Sequence, residues 1–324
     1  MCIIVSLKKQ MRSEVKMVKF SNVTKKYSDI RALDDISFEI NNNDKIIGII
    51  GHNGAGKTTL FMIANGLAQP NSGDVIINNY SLSSERNKIQ SITGLFTDKL
   101  HLYAILTVKE CLMYFLQVHS QDKKSYNKYV DEFKLSSFEN KRISELSTGM
   151  LKKVLLAISM VNNPQVLFLD EPFSGLDPEA RLDFGQTIKD IKDKENVQVL
   201  ISSHDLLELE LIIDNLLILE KGKLIANSSL SELMSLYFKE KTFIVEVFSL
   251  HENDIFNIWD IIKAKSGKDI DKPSSFADNL YRFKLSMDTY NLLNENLSTR
   301  GKGKVISMYN YKPTLDDLYF KITK

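Results

Sequence analysis

An α/β fold built on a mostly parallel sheet, followed by a smaller α+β unit, is what this sequence predicts. Three observations carry that expectation. A β-branched run at 46–50 ends at Gly51, and Gly56-Lys57-Thr58 and an apolar helical pattern from Leu60 follow it. That is a G-x-x-x-x-G-K-[ST] loop between a buried strand and a helix, the setting of a phosphate-binding loop. Strand-like apolar runs then alternate with helical ones up to Leu219, which implies parallel strands covered on both faces. After about Leu236 the pattern changes to short strands and three helices.

Bulk properties narrow the class. At 324 residues the chain is long enough for two domains and a large core. Lys and Arg number 42 against 41 Asp and Glu, so charge offers no argument for a nucleic-acid partner. The two cysteines, Cys2 and Cys111, are too few for a disulfide framework and fit a reducing compartment. No apolar run approaches the roughly 20 residues that span a bilayer, so membrane work would require a partner.

Taken in order, residues 1–16 fit no signal peptide, because the apolar Cys2-Ile3-Ile4-Val5 precedes the positive charges. They are expected to be a disordered or mis-assigned extension, the functional chain starting at Met17. Strands are predicted at 18–22, 36–40 and 46–50, with turns at Tyr27-Ser28-Asp29 and Asn41-Asn42-Asn43-Asp44. A helix at 60–67, a turn at 69–73 and a strand at 74–77 closing on Asn78-Asn79 come next. Helices are predicted at 108–118, 126–134 and 148–160. Strands at 166–169, 197–201 and 216–219 then alternate with helices at 179–192 and 206–213. In the smaller unit, strands fall at 242–248, 280–285 and 305–311. Helices there fall at 254–263, 290–297 and 313–322, the last with Pro at its start.

The chemistry begins at the loop Gly51-His52-Asn53-Gly54-Ala55-Gly56-Lys57-Thr58-Thr59. Backbone N–H groups around Gly54 and Gly56 cradle phosphate oxygens, and the helix N-terminus adds its positive end. Lys57 reaches the β- and γ-phosphates, and the Thr58 hydroxyl is a hard ligand for Mg²⁺. Val166-Leu167-Phe168-Leu169-Asp170-Glu171 is a buried strand ending in two carboxylates. Asp170 suits Mg²⁺, directly or through water, and Glu171 suits the positioning of a water in line with the γ-phosphate. Alone, such a run is a common strand end; paired with the loop it is specific. Between them, Leu146-Ser147-Thr148-Gly149-Met150 opens a helix. Ser147 reads either as its N-cap or, with the Gly149 backbone, as a second anion site.

Gly51–Thr58, Leu146–Met150, Leu167–Pro172, Ser174-Gly175-Leu176-Asp177 and His204 stand in the order of an ABC-transporter ATPase subunit, which the chain resembles over residues 17–235. The resemblance implies a phosphate-loop NTPase core with an N-terminal antiparallel β subdomain and a helical signature subdomain at about 100–160. The ATPase domain would cover 17–238 and an accessory α+β domain 239–324. It further implies ATP and Mg²⁺ as cofactors and a head-to-tail dimer. In that dimer each ATP lies between one phosphate loop and the partner copy's Ser147-Gly149 tip. Carried over singly, Tyr27 matches the ring that stacks on adenine, though it also reads as an ordinary turn tyrosine. Asp177 matches the D-loop aspartate, and His204 the switch histidine that contacts the γ-phosphate.

Four departures stand out. Asp98 occupies the place of the Q-loop glutamine, a Mg²⁺ ligand that faces the membrane partner; a carboxylate can ligate but reaches less far. Thr148 replaces a glycine, Met150 a glutamine, and Lys153 stands where arginine is common. The ending Lys312-Pro313-Thr314-Leu315-Asp316-Asp317-Leu318-Tyr319 resembles the close of ATPases serving ABC-2 type exporters of the bacitracin and multidrug kind. The implied function is a transport ATPase on the cytoplasmic face of the membrane, driving a separate permease, with a second ATPase subunit and no nucleic acid. The alternatives are a non-transport ABC ATPase of ribosome or nucleic acid, or a weakly hydrolysing member of a heterodimer. The cargo is not encoded here.

Overall fold

The computed structural model describes residues 18–41, 46–195 and 197–323. The extension expected at 1–16, and most of the turn expected at 41–44, lie outside them. Among the described residues, those up to Leu230 together with Ile322 and Thr323 form one compact unit and Ser231–Lys321 another.

The first unit opens with β1 (Val18–Tyr27), β2 (Ile30–Ile40) and β3 (Ile46–Ile50), then α1 (Lys57–Ala64). It continues with β4 (Ser72–Ile77), β5 (Tyr80–Ser81), α2 (Leu82–Ile92) and β6 (Thr93–Thr97). Then come α3 (Val108–Val118), α4 (Tyr126–Glu132), α5 (Thr148–Met160) and β7 (Val166–Asp170). It closes with α6 (Pro178–Glu195), β8 (Gln198–Ser203), α7 (Leu206–Glu210), β9 (Asn215–Glu220) and β10 (Lys223–Ser229).

Two sheets result. One is antiparallel, in the order β2-β1-β4-β5; the other runs β10-β9-β3-β8-β7-β6. In the second, β9, β3, β8, β7 and β6 are mutually parallel and only the edge strand β10 is antiparallel. The parallel strands β3 and β7 are buried at every residue, which is why each reads as an unbroken apolar run. One core joins the two sheets through α1: Phe61 meets Phe168 of β7 edge to face at 5.3 Å, and the cluster includes Phe20, Phe38 and Val75. Burying those apolar faces is what fixes α1, an eight-residue helix too short to be stable alone.

The helical stretch expected near 100–160 holds α3, α4 and α5. Thr107 begins α3 with a capping box, its hydroxyl accepting from Glu110 N while the Glu110 carboxylate accepts from Thr107 N at 2.8 Å.

Several boundaries differ from the sequence reading. The first helix starts at Lys57, not at residue 60, because the glycine loop runs straight into it. Ser72 and Gly73, expected in a turn, begin β4, with Ser72 paired to Thr24 of β1. The strands expected at 18–22 and 36–40 extend into a hairpin that turns only at Ser28-Asp29. The helix expected at 206–213 stops at Glu210.

The second unit begins within α8 (Leu230–Tyr237) and runs through β11 (Thr242–Phe248), α9 (Glu252–Ser266), β12 (Ser274–Ala277), β13 (Leu280–Ser286), α10 (Met287–Arg300) and β14 (Lys304–Tyr311) to α11 (Leu315–Thr323). The antiparallel sheet order β12-β13-β11-β14 on a β-α-β-β-α-β sequence is the ferredoxin-like arrangement. Val245, Phe283 and Leu285 of the sheet pack with Ile255, Ile258, Leu293 and Leu297 of the helices. The closing motif has a local job. Asp317 Oδ2 accepts from Thr314 N at 2.8 Å while Thr314 Oγ1 accepts from Asp317 N, a capping box at the start of α11. Against the opposing effect of burial, the Thr314 backbone, Tyr311 and Lys284 hold the Asp317 carboxyl down at about 2.

Candidate active site

Strand register assembles the site. In the parallel sheet Ile50 of β3 lies beside Ser203 of β8, and Ser202 beside Asp170 of β7. The carboxyl ends of three adjacent strands therefore deliver the glycine loop, the acid pair and His204 to one edge, where open α/β sheets bind ligands. β6 adds its own end, with Thr97 beside Asp170, so that Asp98 leaves the sheet next to the acid pair.

The loop is closely fitted. A Cβ at Gly51 would lie 2.3 Å from the Leu219 carbonyl oxygen, and one at Gly56 would lie 2.5 Å from that of Ala32. Gly56 also holds φ at 109°, the left-handed region that glycine alone adopts without strain, and α1 begins at the next residue. Lys57 is 6% exposed, and its Nζ donates to the Gly51 carbonyl at 2.6 Å and lies 3.3 Å from Glu171 Oε1.

The acid pair is held from several sides. Asp170 is buried; its Oδ2 accepts from Thr58 Oγ1 at 2.8 Å and its Oδ1 from Ser202 Oγ at 2.7 Å. Glu171 adopts a left-handed backbone, φ 50°, which costs a non-glycine residue on the order of 1–2 kcal/mol. Its N–H is directed at Ser202 Oγ, 3.1 Å away, and its Oε2 accepts from His204 N at 3.2 Å and lies 2.7 Å from His204 Nδ1. The turn aims the Glu171 carboxylate into the space between Lys57 and His204.

The structure thus brings Lys57, Thr58, Asp170, Glu171 and His204 together. Of the other candidates, Asp98 follows Thr97 beside Asp170, whereas Ser147, Gly149, Asp177 and Tyr27 are engaged elsewhere. Ser147 is exposed at the N-terminus of α5 and its Oγ accepts from Met150 N at 3.3 Å, so the N-cap reading is realised in full. Beside it, a Cβ on Gly149 would meet only Ala180 and Leu176 at ordinary contact distance. Asp177 Oδ1 accepts from Ala180 N at 2.8 Å and caps α6. Tyr27 is 43% exposed at the tip of the hairpin whose second strand carries Ala32 against Gly56. Asp98 is exposed.

Two residues in this region carried no expectation from the sequence. Ser202 ties both carboxylate residues to β8, and the Asp170–Ser202 register was its only signal. Lys152, 4% exposed on α5, donates to the Pro172 carbonyl at 2.7 Å, with the Glu171 carbonyl at 3.4 Å. Burial lowers its pKa against the pull of the Asp98, Glu208 and Glu171 carboxylates.

A second network lies behind His204. Arg181 Nε donates to the Leu176 carbonyl at 2.8 Å, its Nη1 lies 3.3 Å from Asp205 Oδ2, and the same nitrogen pairs with Glu208. Burial, then the neighbouring Asp205 charge, push the Glu208 carboxyl up to about 7. A carboxyl raised in the folded state stabilises fully below its unfolded pKa, about 4.3, and loses that contribution as pH rises through about 7. Glu208→Gln removes the titration. Its thermal midpoint is expected to match the unaltered chain at pH 4 and to lie above it by about 2–4 °C at pH 8, as read by calorimetry.

The oxygen pair Thr58–Asp170 suits Mg²⁺, which binds through one or two protein oxygens and takes the rest from phosphate and water. Among the described residues no group of three or more His, Cys, Asp and Glu is placed to hold a metal by itself, so a site completed by phosphate fits the donor set. A glycine cradle at a helix N-terminus, a buried lysine and a hydroxyl–carboxylate pair at the end of a parallel sheet define a phosphate-loop nucleotide-binding protein.

Comparison with known proteins narrows that class. The family described as ABC transporter matches residues 33–174. The chain is 30% identical over 236 residues to the lipopolysaccharide export system ATP-binding protein LptB of Haemophilus influenzae, covering 71% of this chain and 97% of that one. It is 28% identical over 314 residues to the uncharacterized ABC transporter ATP-binding protein YhaQ of Bacillus subtilis, covering 94% and 98%. A solved structure of the ATP binding subunit of an ABC transporter superposes with a TM-score of 0.61 at 26% identity, over 68% of this chain and 93% of that one. The chain belongs to the ABC transporter ATP-binding proteins. ATP hydrolysis is general in that family.

Proposed function

We propose that this chain is the motor subunit of an ABC-type exporter, hydrolysing Mg-ATP in a dimer that drives a separate membrane permease from the cytoplasmic face. The observation that carries it is the convergence of Lys57, Thr58, Asp170, Glu171 and His204 at one sheet edge. Export rests on the resemblance of the Pro313–Tyr319 close to ABC-2 type ATPases, and the name of the LptB relative is compatible with it. Among the described residues no helix is long and apolar enough to cross a membrane, so the permease is a separate chain in this reading.

The division of labour follows from position. The loop amides from Gly51 to Thr59 hold the β- and γ-phosphates, and Lys57 neutralises charge on their oxygens. Thr58 and Asp170 would hold Mg²⁺, and Asp98, next after the β6 residue that pairs with Asp170, would supply a further carboxylate through water. Bound there, the ion would neutralise negative charge on the phosphates. Glu171 orients a water and takes its proton as the water oxygen bonds to the γ-phosphorus and the bond to the β-bridging oxygen breaks, giving ADP and phosphate. His204 fixes the Glu171 carboxylate and contacts the γ-phosphate. Tyr27 stacks on adenine. Ser147, Gly149 and Asp177 meet the nucleotide held by a second copy, so ATP closes the dimer and its hydrolysis opens it.

The test is to ask whether a neighbouring reading frame encodes a multi-span membrane protein and to co-express the full chain with it. Co-purification, and ATP turnover that rises on reconstitution and stops when EDTA removes Mg²⁺, are the expected results. Absence of turnover, or co-purification with ribosomes or nucleic acid instead, would overturn the reading.

A further inference from the structure

Lys152 is an uncommon residue for its surroundings. Lysine is rarely fully buried without a partner, yet this one is 4% exposed with its ammonium directed at two main-chain carbonyls. Those carbonyls belong to Glu171 and Pro172, at 3.4 and 2.7 Å. Glu171 holds a left-handed backbone. Its N–H is fixed from β8 by Ser202, and its carbonyl side is fixed from α5 by Lys152. Its Nζ also lies over the ring of Phe96 of β6, 6.0 Å from the centroid.

The same helix begins with Ser147, and Lys152 lies five residues on, about 7.5 Å along its axis. A rigid helix thus carries the Ser147-Gly149 tip at one end and, little more than a turn later, the hand that grips the Glu171 turn. From this geometry we infer that Lys152 is a positioning residue for Glu171. It holds the turn that aims the carboxylate, and it links the seating of the Ser147 tip to the alignment of Glu171 in the same copy. The inference deepens the reading of Glu171 as the group that orients water, and rests on it.

The mechanism predicts a selective defect. Lys57, Thr58 and the loop amides hold nucleotide without help from Lys152, so binding is spared. The carboxylate loses its aim, and misplacement of a catalytic group by about 1 Å costs about 100-fold in rate. In Lys152→Met, kcat is expected to fall about 100-fold, while KM for Mg-ATP and the Kd for a fluorescent ATP analogue hardly change. Lys152→Arg keeps a cationic donor and should recover most of the loss. Lys152→Gln, a shorter neutral donor that preserves polarity in the buried site, should fall between, and it stands in if the methionine variant does not fold. With Glu171→Gln already present, Lys152→Met should change the residual rate little, because the group it acts through is gone.

An unchanged kcat in the Met or Gln variant would overturn the inference. So would a parallel loss of nucleotide affinity, which marks a merely structural role, or an equal loss in the Glu171→Gln background. An undiminished rate in Glu171→Gln alone would instead remove Glu171 from the mechanism, and the inference would fall with it.

Discussion

Glu171→Gln should leave ATP affinity near that of the unaltered chain while hydrolysis falls about 10²- to 10⁴-fold, the range for loss of a general base. The amide is nearly isosteric with the carboxylate, so the left-handed turn, the Ser202 bond and the grip of Lys152 on the main chain all remain. His204 N still finds an amide oxygen where it now donates to Oε2. What disappears is the negative charge that accepts a proton from water, together with its attraction for Lys57 Nζ at 3.3 Å. Freed from that competitor, Lys57 is fully available to phosphate, and binding is expected to hold or tighten. Because opening follows hydrolysis in the proposed cycle, the variant should accumulate as a nucleotide-bound dimer. Size-exclusion chromatography with light scattering, with and without Mg-ATP, reads that directly. Hydrolysis at the unaltered rate, or a protein that stays monomeric with ATP bound, would contradict it.

The sequence made part of this site legible and hid the rest for physical reasons. Buried parallel strands advertise themselves, since β3 and β7 must be apolar on both faces, and the residues just past such strands are where parallel sheets place chemistry. That is why Lys57, Thr58, Asp170 and Glu171 could be named from spacing, whereas His204 was carried over from the family resemblance. β6 escaped because Thr93-Gly94-Leu95-Phe96-Thr97 is a weak strand pattern. Its glycine is there for close approach, a Cβ at Gly94 coming within 2.2 Å of the Ser159 carbonyl oxygen. Polar α2 buries only Leu82 and Ile89, and the edge strand β10 has no fully buried residue, so neither shows a clear apolar period. Ser202 and Lys152 were illegible for another reason. Each is a single polar residue whose meaning lies in a partner across the fold, 32 residues away for the Ser202–Asp170 bond and 20 for Lys152–Pro172. Ser147 shows the converse. Its sequence offered two readings, and the cap bond from Met150 N within its own helix realises one of them.

Lys57→Ala carries the largest expected effect on binding. The ammonium is 6% exposed, packed under the loop with the Gly51 carbonyl at 2.6 Å and the His52 carbonyl at 3.5 Å, so no other side chain can take its place. A hydrogen bond to a charged group contributes about 1.5–3 kcal/mol, and losing contacts to two phosphates amounts to about 3–5 kcal/mol. At about 1.4 kcal/mol per tenfold, Kd for Mg-ATP should weaken by about 10²- to 10³-fold, as measured by calorimetry or a fluorescent analogue. A separate, smaller effect falls on stability. The Gly51 carbonyl loses its partner and the Glu171 carboxylate loses its nearest counter-charge, for an unsatisfied-group cost of about 1–3 kcal/mol. The two effects are read separately, the first by nucleotide affinity and the second by the thermal midpoint without nucleotide. Arginine at the same position keeps the charge but not the fit, because a planar guanidinium cannot replace a compact ammonium beneath the Gly51 carbonyl. Lys57→Arg is therefore also expected to bind ATP poorly. Retention of affinity in either variant would mean that the phosphates lie elsewhere than in this loop.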